Sequence, residues 1–299
     1  GGSDWDHIDL VENHWTNTGE IENNGIDDDG NGYVDDYHGW NLGSNNDNIS
    51  NGDHGTGVSG MIGAVGNNGI GVAGINWDIQ IMQIDMQSGL TNAKVIEAYE
   101  YARVMRELWN DSDGQEGAFV VATNASWGID YGDSNQFQAW CEFYDALGEE
   151  GIINLAATAN NPVNVDAVGD MPTNCTSDYL IGVTASNSSD ALTFAGYGTT
   201  SIDLAAPGVS IYTTINTSTY GSYSGTSFAT PLTAGVVGLI YSSPCQDMGA
   251  LAYTDPQGTA DQVISYLLSG VDQVDNLANQ TVTGGRLNAY NSLSFTCDE

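Results

Sequence analysis

Basic residues are almost absent from this sequence. Of 299 residues, four are Lys or Arg and 39 are Asp or Glu, for a net charge of −35 at pH 7. With only Lys94, Arg103, Arg106 and Arg286 to offer, the chain cannot neutralise phosphates. That argues against nucleic acid as a partner, and equally against an anionic membrane surface. No apolar run approaches the ~20 residues that a membrane-spanning helix needs. The start carries no signal-peptide pattern; a secreted protein would already have lost one. Cysteine is sparse, and no Cys-x-x-Cys pair is present, which argues against zinc or thioredoxin chemistry. What the chain does have is 40% hydrophobic residues, enough for a sizeable core despite the charge. Its acidity suits solubility in high salt, cation binding or the attraction of basic partners.

If the protein is secreted, Cys141, Cys175, Cys245 and Cys297 form two disulfides, with three pairings open. The sequential pairing, Cys141–Cys175 and Cys245–Cys297, closes the shortest loops and is the expected one. In a reducing compartment the same four residues are buried thiols.

Residues 1–53 are rich in Asp, Asn and Gly and read as loop. From His54, apolar residues recur at helical spacing (Val58, Met61, Ile62, Val65), with glycines on the other faces for close backbone packing. Alternation predicts a strand over 79–85, and an amphipathic helix runs from Asn92 to Trp109. Buried strands are expected at 119–126, 151–157 and 179–185, and a short one at 201–208. Helices are expected around 137–147, 227–241 and 260–269, and a closing loop and short helix at 284–293. Strands alternating with helices predict an α/β fold, a parallel sheet flanked by helices on both faces. No repeat or linker divides the chain, so a single domain spans 1–299, with 243–299 as its closing segment.

Three short stretches carry chemistry. In YSGTSFATPLTAG (223–235) a Gly-Thr-Ser turn feeds an apolar helix, and Ser227 gains from the free N–H groups and positive dipole end there. Pro231 distorts the first turn. In GDHGTGVSGMIG (52–63) His54 starts a helix between glycines. In NLAATANNP (154–162) a strand ends at Asn160, whose amide can point at a developing oxyanion. Singly, each has a plain structural reading as an N-cap, a core histidine or a turn asparagine.

Together, DHGTG, AATAN and SGTSFATP resemble the three boxes of the subtilisin-like serine proteases, the subtilase family, in the family's order. NASWG (124–128) is similar to its substrate-binding strand and DLAAPG (203–208) to another characteristic stretch. The resemblance covers residues 1–242. It implies that Ser227 is the nucleophile, His54 its general base and Asn160 the oxyanion-hole donor, acting on protein or peptide substrates through an acyl-enzyme. It also implies that Ser126, Trp127, Gly128, Ala157, Thr158 and Ala159 contact substrate. Two departures stand out. Gly57 replaces the family's second histidine, and Ala159 replaces the usual glycine, which puts substrate preference in doubt.

The opening GGSDWDHIDL resembles the family's stretch just after its catalytic Asp. In that register Gly2, Asp4, His7 and Asp9-Leu10 take the later positions, and the catalytic Asp falls just before Gly1. The first strand is then missing from this chain or carried on a separate one, such as an associated N-terminal fragment. Activity of the chain alone is correspondingly in doubt.

NGIDDDGNGYVDD (24–36) places Asp27, Asp29, Asn31, the Tyr33 carbonyl and Asp35 at the spacing of a calcium loop, with Asp36 available to complete the shell. His38 stands where an EF-hand has Glu, and oxygen-only ligands suit calcium. The resemblance implies a second calcium site from Asp9, Asn68 and the loop at Ile70 and Val72. The expected protein is a secreted, extracellular, calcium-stabilised serine endopeptidase. The alternative is a catalytically silent scaffold of the same fold within an extracellular assembly.

Overall fold

The computed structural model describes residues 1–87 and 89–297. They form two compact units, one within residues 1–120 and 213–221, the other within 121–212 and 222–297.

The first unit is mostly loop. Its regular elements are β1 (Trp40–Asn41), α1 (Asp53–Gly63), β2 (Ile84–Asp85) and α2 (Asn92–Asp111). β1 and β2 pair in parallel, Trp40 opposite Ile84. The strand expected over 79–85 is regular only at its end. Upstream, Ile81 exchanges backbone bonds with Asn13 and Trp15, an irregular pairing that a period-two pattern does not reveal. α2 begins on Thr91, whose hydroxyl caps Lys94 N–H. Its apolar stripe packs Tyr101 and Met105 against Trp40 and Leu42. The small residues of α1 have a purpose. A Cβ on Gly55 would lie 2.1 Å from the Gly2 carbonyl oxygen.

The second unit holds a six-stranded sheet. Its strands are β3 (Ala122–Ala125), β5 (Ile153–Ala157), β7 (Leu180–Ser186), β8 (Leu204–Pro207), β11 (Asp272–Gln273) and β12 (Gly285–Arg286). The order is β11-β12-β8-β7-β5-β3, parallel throughout except for β11 with β12. Every residue of β5 and β7 is buried, as a parallel strand covered on both faces requires. β3, expected to be buried, is half-exposed because it lies at the edge of this sheet.

A small antiparallel pair, β4 (Ile129–Asp130) with β6 (Asp170–Met171), sets Asp130 opposite Asp170. The helices are α3 (Gln138–Glu149), α4 (Val165–Val168), α5 (Thr226–Tyr241), α6 (Met248–Thr254), α7 (Pro256–Ser269) and α8 (Ala289–Ser294). Between β8 and α5 lies a ribbon, β9 (Ile211–Ile215) with β10 (Thr219–Tyr223). The ribbon and α6 have no counterpart in the sequence reading.

α5 packs on β3, β5, β7 and β8 and is apolar on nearly every face, so Phe228, Val236, Val237 and Ile240 are all buried. Each such side chain contributes about 1.5–3 kcal/mol. α7 starts at Pro256, with Asp255 accepting from Gly258 N–H at 2.9 Å. Both disulfides form in the sequential pairing, Cys141–Cys175 and Cys245–Cys297, each with 5.0 Å between Cα atoms. No helix of the described residues is long and apolar enough to cross a membrane.

Candidate active site

Ser227 is the second residue of α5, where backbone N–H groups have no intrahelical partner. Pro231, four residues on, has no N–H to give the Ser227 carbonyl. That carbonyl instead accepts from Ser126 Oγ at 2.8 Å, while Ser227 Oγ donates to the Ser126 carbonyl at 3.1 Å. The proline thus ties the head of the helix to the segment leaving β3.

Asn160 lies in the loop between β5 and α4. Its Oδ1 accepts from Thr226 N–H at 3.0 Å and from Thr226 Oγ1 at 3.2 Å. Thr226 Oγ1 also donates to the Thr158 carbonyl at 2.6 Å. With its oxygen held, the amide presents Nδ2, its donor end, and the side chain is exposed. A fixed donor beside a serine at a helix N-terminus is the arrangement that stabilises an oxyanion.

Trp127, Gly128, Ala157, Thr158 and Ala159 line one pocket with Asn160 and Ser227. All five come from the sequence reading, and Ser126 adjoins them through its two bonds to Ser227. Gly128 is needed because a Cβ there would meet the Met171 carbonyl oxygen at 2.2 Å. Three further lining residues, Asp130, Asp170 and Thr226, were not among the predicted site residues. Asp170 is buried, and burial pushes its carboxyl up to about 6, against bonds from Thr173, Thr158 and Ala159 N–H that favour the charge. The Asp130 charge adds to the rise.

His54 is the second residue of α1, in the first unit. Desolvation by burial holds its pKa below the ordinary histidine value. It is therefore neutral at pH 7 and fit to take a proton. Asp4 has its oxygens occupied by Asn51 Nδ2 and Thr217 N–H. Asp9 accepts from Asn68 Nδ2 and Val72 N–H. The register that assigns Asp4 and Asp9 to other work agrees with these bonds.

Of the residues expected to hold calcium, Asp27 and Asp29 lie together with one other carboxylate. Carboxylate oxygens of Asp27, Asp29 and Glu20 lie within 4.8 Å of one another, and Glu20 was not foreseen. This is a hard, all-oxygen donor set and fits calcium chemistry. These three carboxylates also bond to protein, Glu20 accepting from Asp28, Asp29 and Asp35 N–H, Asp27 from Asn31 and Gly32 N–H, and Asp29 from Asn31 N–H and Asn17 Nδ2. Asp35, Asp36 and Asn31 lie outside the cluster and face other protein partners. Asp35 accepts from Asn24 and Gly25 N–H, and Asp36 from Tyr101, Asn17 and Asn31. Asn31 spends its oxygen on Tyr33 N–H. At the second site Asp9 and Asn68 do meet, with Val72 contributing its N–H to Asp9, and Ile70 N–H bonds Asn68 Oδ1.

The family model described as the subtilase family matches residues 1–256. Subtilisin-like protease 1 of Plasmodium vivax is 27% identical over 99% of this chain, which spans 46% of that protein. Thermitase of Thermoactinomyces vulgaris is 30% identical over 86% of this chain and 81% of its own length. Among solved structures, a cold adapted subtilisin-like serine proteinase has a TM-score of 0.63 at 19% identity, covering 94% of this chain and 85% of its own. That likeness shows the fold.

Proposed function

We propose, from the premise that this chain belongs to the subtilase family, that it is the peptidase domain of a serine endopeptidase. The supporting observation is Asn160: its oxygen is anchored by Thr226, its donor end is presented, and Ser227 lies at the same pocket. Ser227 Oγ gives up its bond to the Ser126 carbonyl and attacks the peptide carbonyl. His54 takes that proton and returns it to the leaving amine, and water hydrolyses the acyl-enzyme. The Asn160 amide and the N-terminal end of α5 receive the charge that develops on the carbonyl oxygen.

The third group of the triad is an aspartate preceding Gly1. The motif register assigns it there. One domain spans 1–299, with 243–299 closing it. Two disulfides support an extracellular setting. Glu20, Asp27 and Asp29 would hold a calcium ion, which would neutralise their crowded carboxylates and stiffen the 20–36 loop. A second ion at Asp9 and Asn68 requires the Asn68 amide to turn its oxygen inward.

The test is hydrolysis of casein by the full-length protein in calcium, against Ser227→Ala and His54→Ala. Cleavage by the parent and none by either variant supports the reading. Equal cleavage by Ser227→Ala rules it out.

A further inference from the structure

The pocket beside Ser227 carries negative charge at two depths. Asp170 is 1% exposed, while Asp130, opposite it across the β4–β6 pair, is exposed. Both line the pocket. The bonds to Asp170 are lopsided. Oδ2 accepts from Thr173 Oγ1 at 2.6 Å, from Thr158 Oγ1 at 2.8 Å and from Ala159 N–H at 3.2 Å. Oδ1 accepts from no protein donor among the described residues. With its protein donors all on Oδ2, Asp170 leaves Oδ1 to the pocket it lines. There a side chain that enters the pocket must replace the water on that oxygen with donors of its own or leave it desolvated.

We propose that Asp170 and Asp130 make this pocket select a lysine or arginine side chain immediately before the scissile bond. The proposal deepens the peptidase reading and rests on it. Thr158, Thr173 and Ala159 N–H fix Asp170 in one orientation, with Oδ1 toward the pocket. An incoming guanidinium or ammonium donates to Oδ1, and Asp130 adds attraction at the exposed level. Asn161 Nδ2 holds Asp130 Oδ2 at 2.9 Å, which keeps that carboxylate in place as well. An apolar side chain in the same pocket would leave Oδ1 desolvated with no partner, so discrimination runs both ways. The net charge of −35 also steers basic substrates toward the protein.

The experiment compares kcat/KM for four tetrapeptide amides that differ only in the residue before the cleaved bond: Arg, Lys, Phe and Leu. Full-length protein, Asp170→Asn and Asp130→Asn are each assayed. The parent is expected to favour Arg or Lys over Phe and Leu by about 30-fold or more, the scale of one truncated buried charge pair. Asp170→Asn keeps an acceptor for Thr158, Thr173 and Ala159 but points an NH2 at the pocket, so the ratio collapses toward one. Asp130→Asn, at an exposed position with little bearing on folding, lowers the ratio several-fold. A peptidyl-argininal inhibits the parent more strongly than the matching peptidyl-phenylalaninal, a measurement that needs no variant. Cleavage after Phe or Leu as fast as after Arg and Lys overturns this inference and leaves the peptidase intact. Failure to cleave any peptide, with casein also untouched, overturns the peptidase reading itself.

Discussion

Asp36 in the first unit and Asp170 in the second are both buried carboxylates, and burial pushes each up to about 6. Their bonding differs. Asp36 is closed, with Oδ1 taking Asn17 Nδ2 at 2.8 Å and Oδ2 taking Tyr101 Oη at 2.6 Å and Asn31 Nδ2 at 2.9 Å. Asp170 is half closed, with three donors on Oδ2 and none on Oδ1 among the described residues. The closed carboxylate joins a loop to α2 and belongs to the architecture. The half-closed one lines the pocket beside Ser227. Both work against the fold. Each folded pKa lies above that of an unfolded aspartate, so the folded chain holds these protons more tightly between about 4 and 6. Stability therefore falls as pH rises through that window, and at pH 7 each costs on the order of 3 kcal/mol. Asp36 offsets that cost with donors on both oxygens, whereas Asp170 leaves Oδ1 to the pocket.

The largest expected effect removes the chemistry from the second unit altogether. Ser227→Ala should lower kcat on casein peptides about 10⁶-fold with a circular dichroism spectrum unchanged, the magnitude known for subtilisin itself. Asn160→Ala should lower kcat about 10²–10³-fold with KM little altered, again the subtilisin value for the equivalent donor. The two carboxylates are next. In urea titrations at pH 7, Asp36→Asn should destabilise the protein by about 1–3 kcal/mol, because its NH2 must face donors on both sides. Asp170→Asn should be neutral or stabilising. Loss of stability in both variants by the same amount would erase the distinction. A pH series gives a subtler effect. The Arg-to-Phe ratio of kcat/KM should rise as pH climbs through 6 and Asp170 ionises. Protonation of His54 affects both substrates alike and cancels from the ratio. The smallest effect concerns the loop. Chelating calcium should lower the melting temperature of the parent and change that of Glu20→Gln less.

How much of this was legible in sequence depends on contact distance along the chain. Ser227, Asn160 and the residues around Ala157 and Trp127 lie in short boxes whose local order carries their roles, and the structure brings those residues of the second unit to one pocket. The parallel sheet was legible because fully buried strands leave unbroken apolar runs, as in β5 and β7. Asp130 and Asp170 escaped notice because they are forty residues apart and meet only through the β4–β6 pairing. The calcium loop was half legible. Asp27 and Asp29 were read from their spacing, but Glu20 lies outside that pattern. Asp35 takes a left-handed φ of 52° and turns its carboxylate onto the Asn24 and Gly25 amides. No spacing rule anticipates such a turn in a residue with a Cβ.

The most direct test of the central claim is labelling of the full-length protein with a fluorophosphonate probe in calcium, followed by peptide mass mapping. The account predicts one adduct, on Ser227, lost when His54 is replaced by alanine. An intact, calcium-replete protein that takes no label at Ser227 would contradict it.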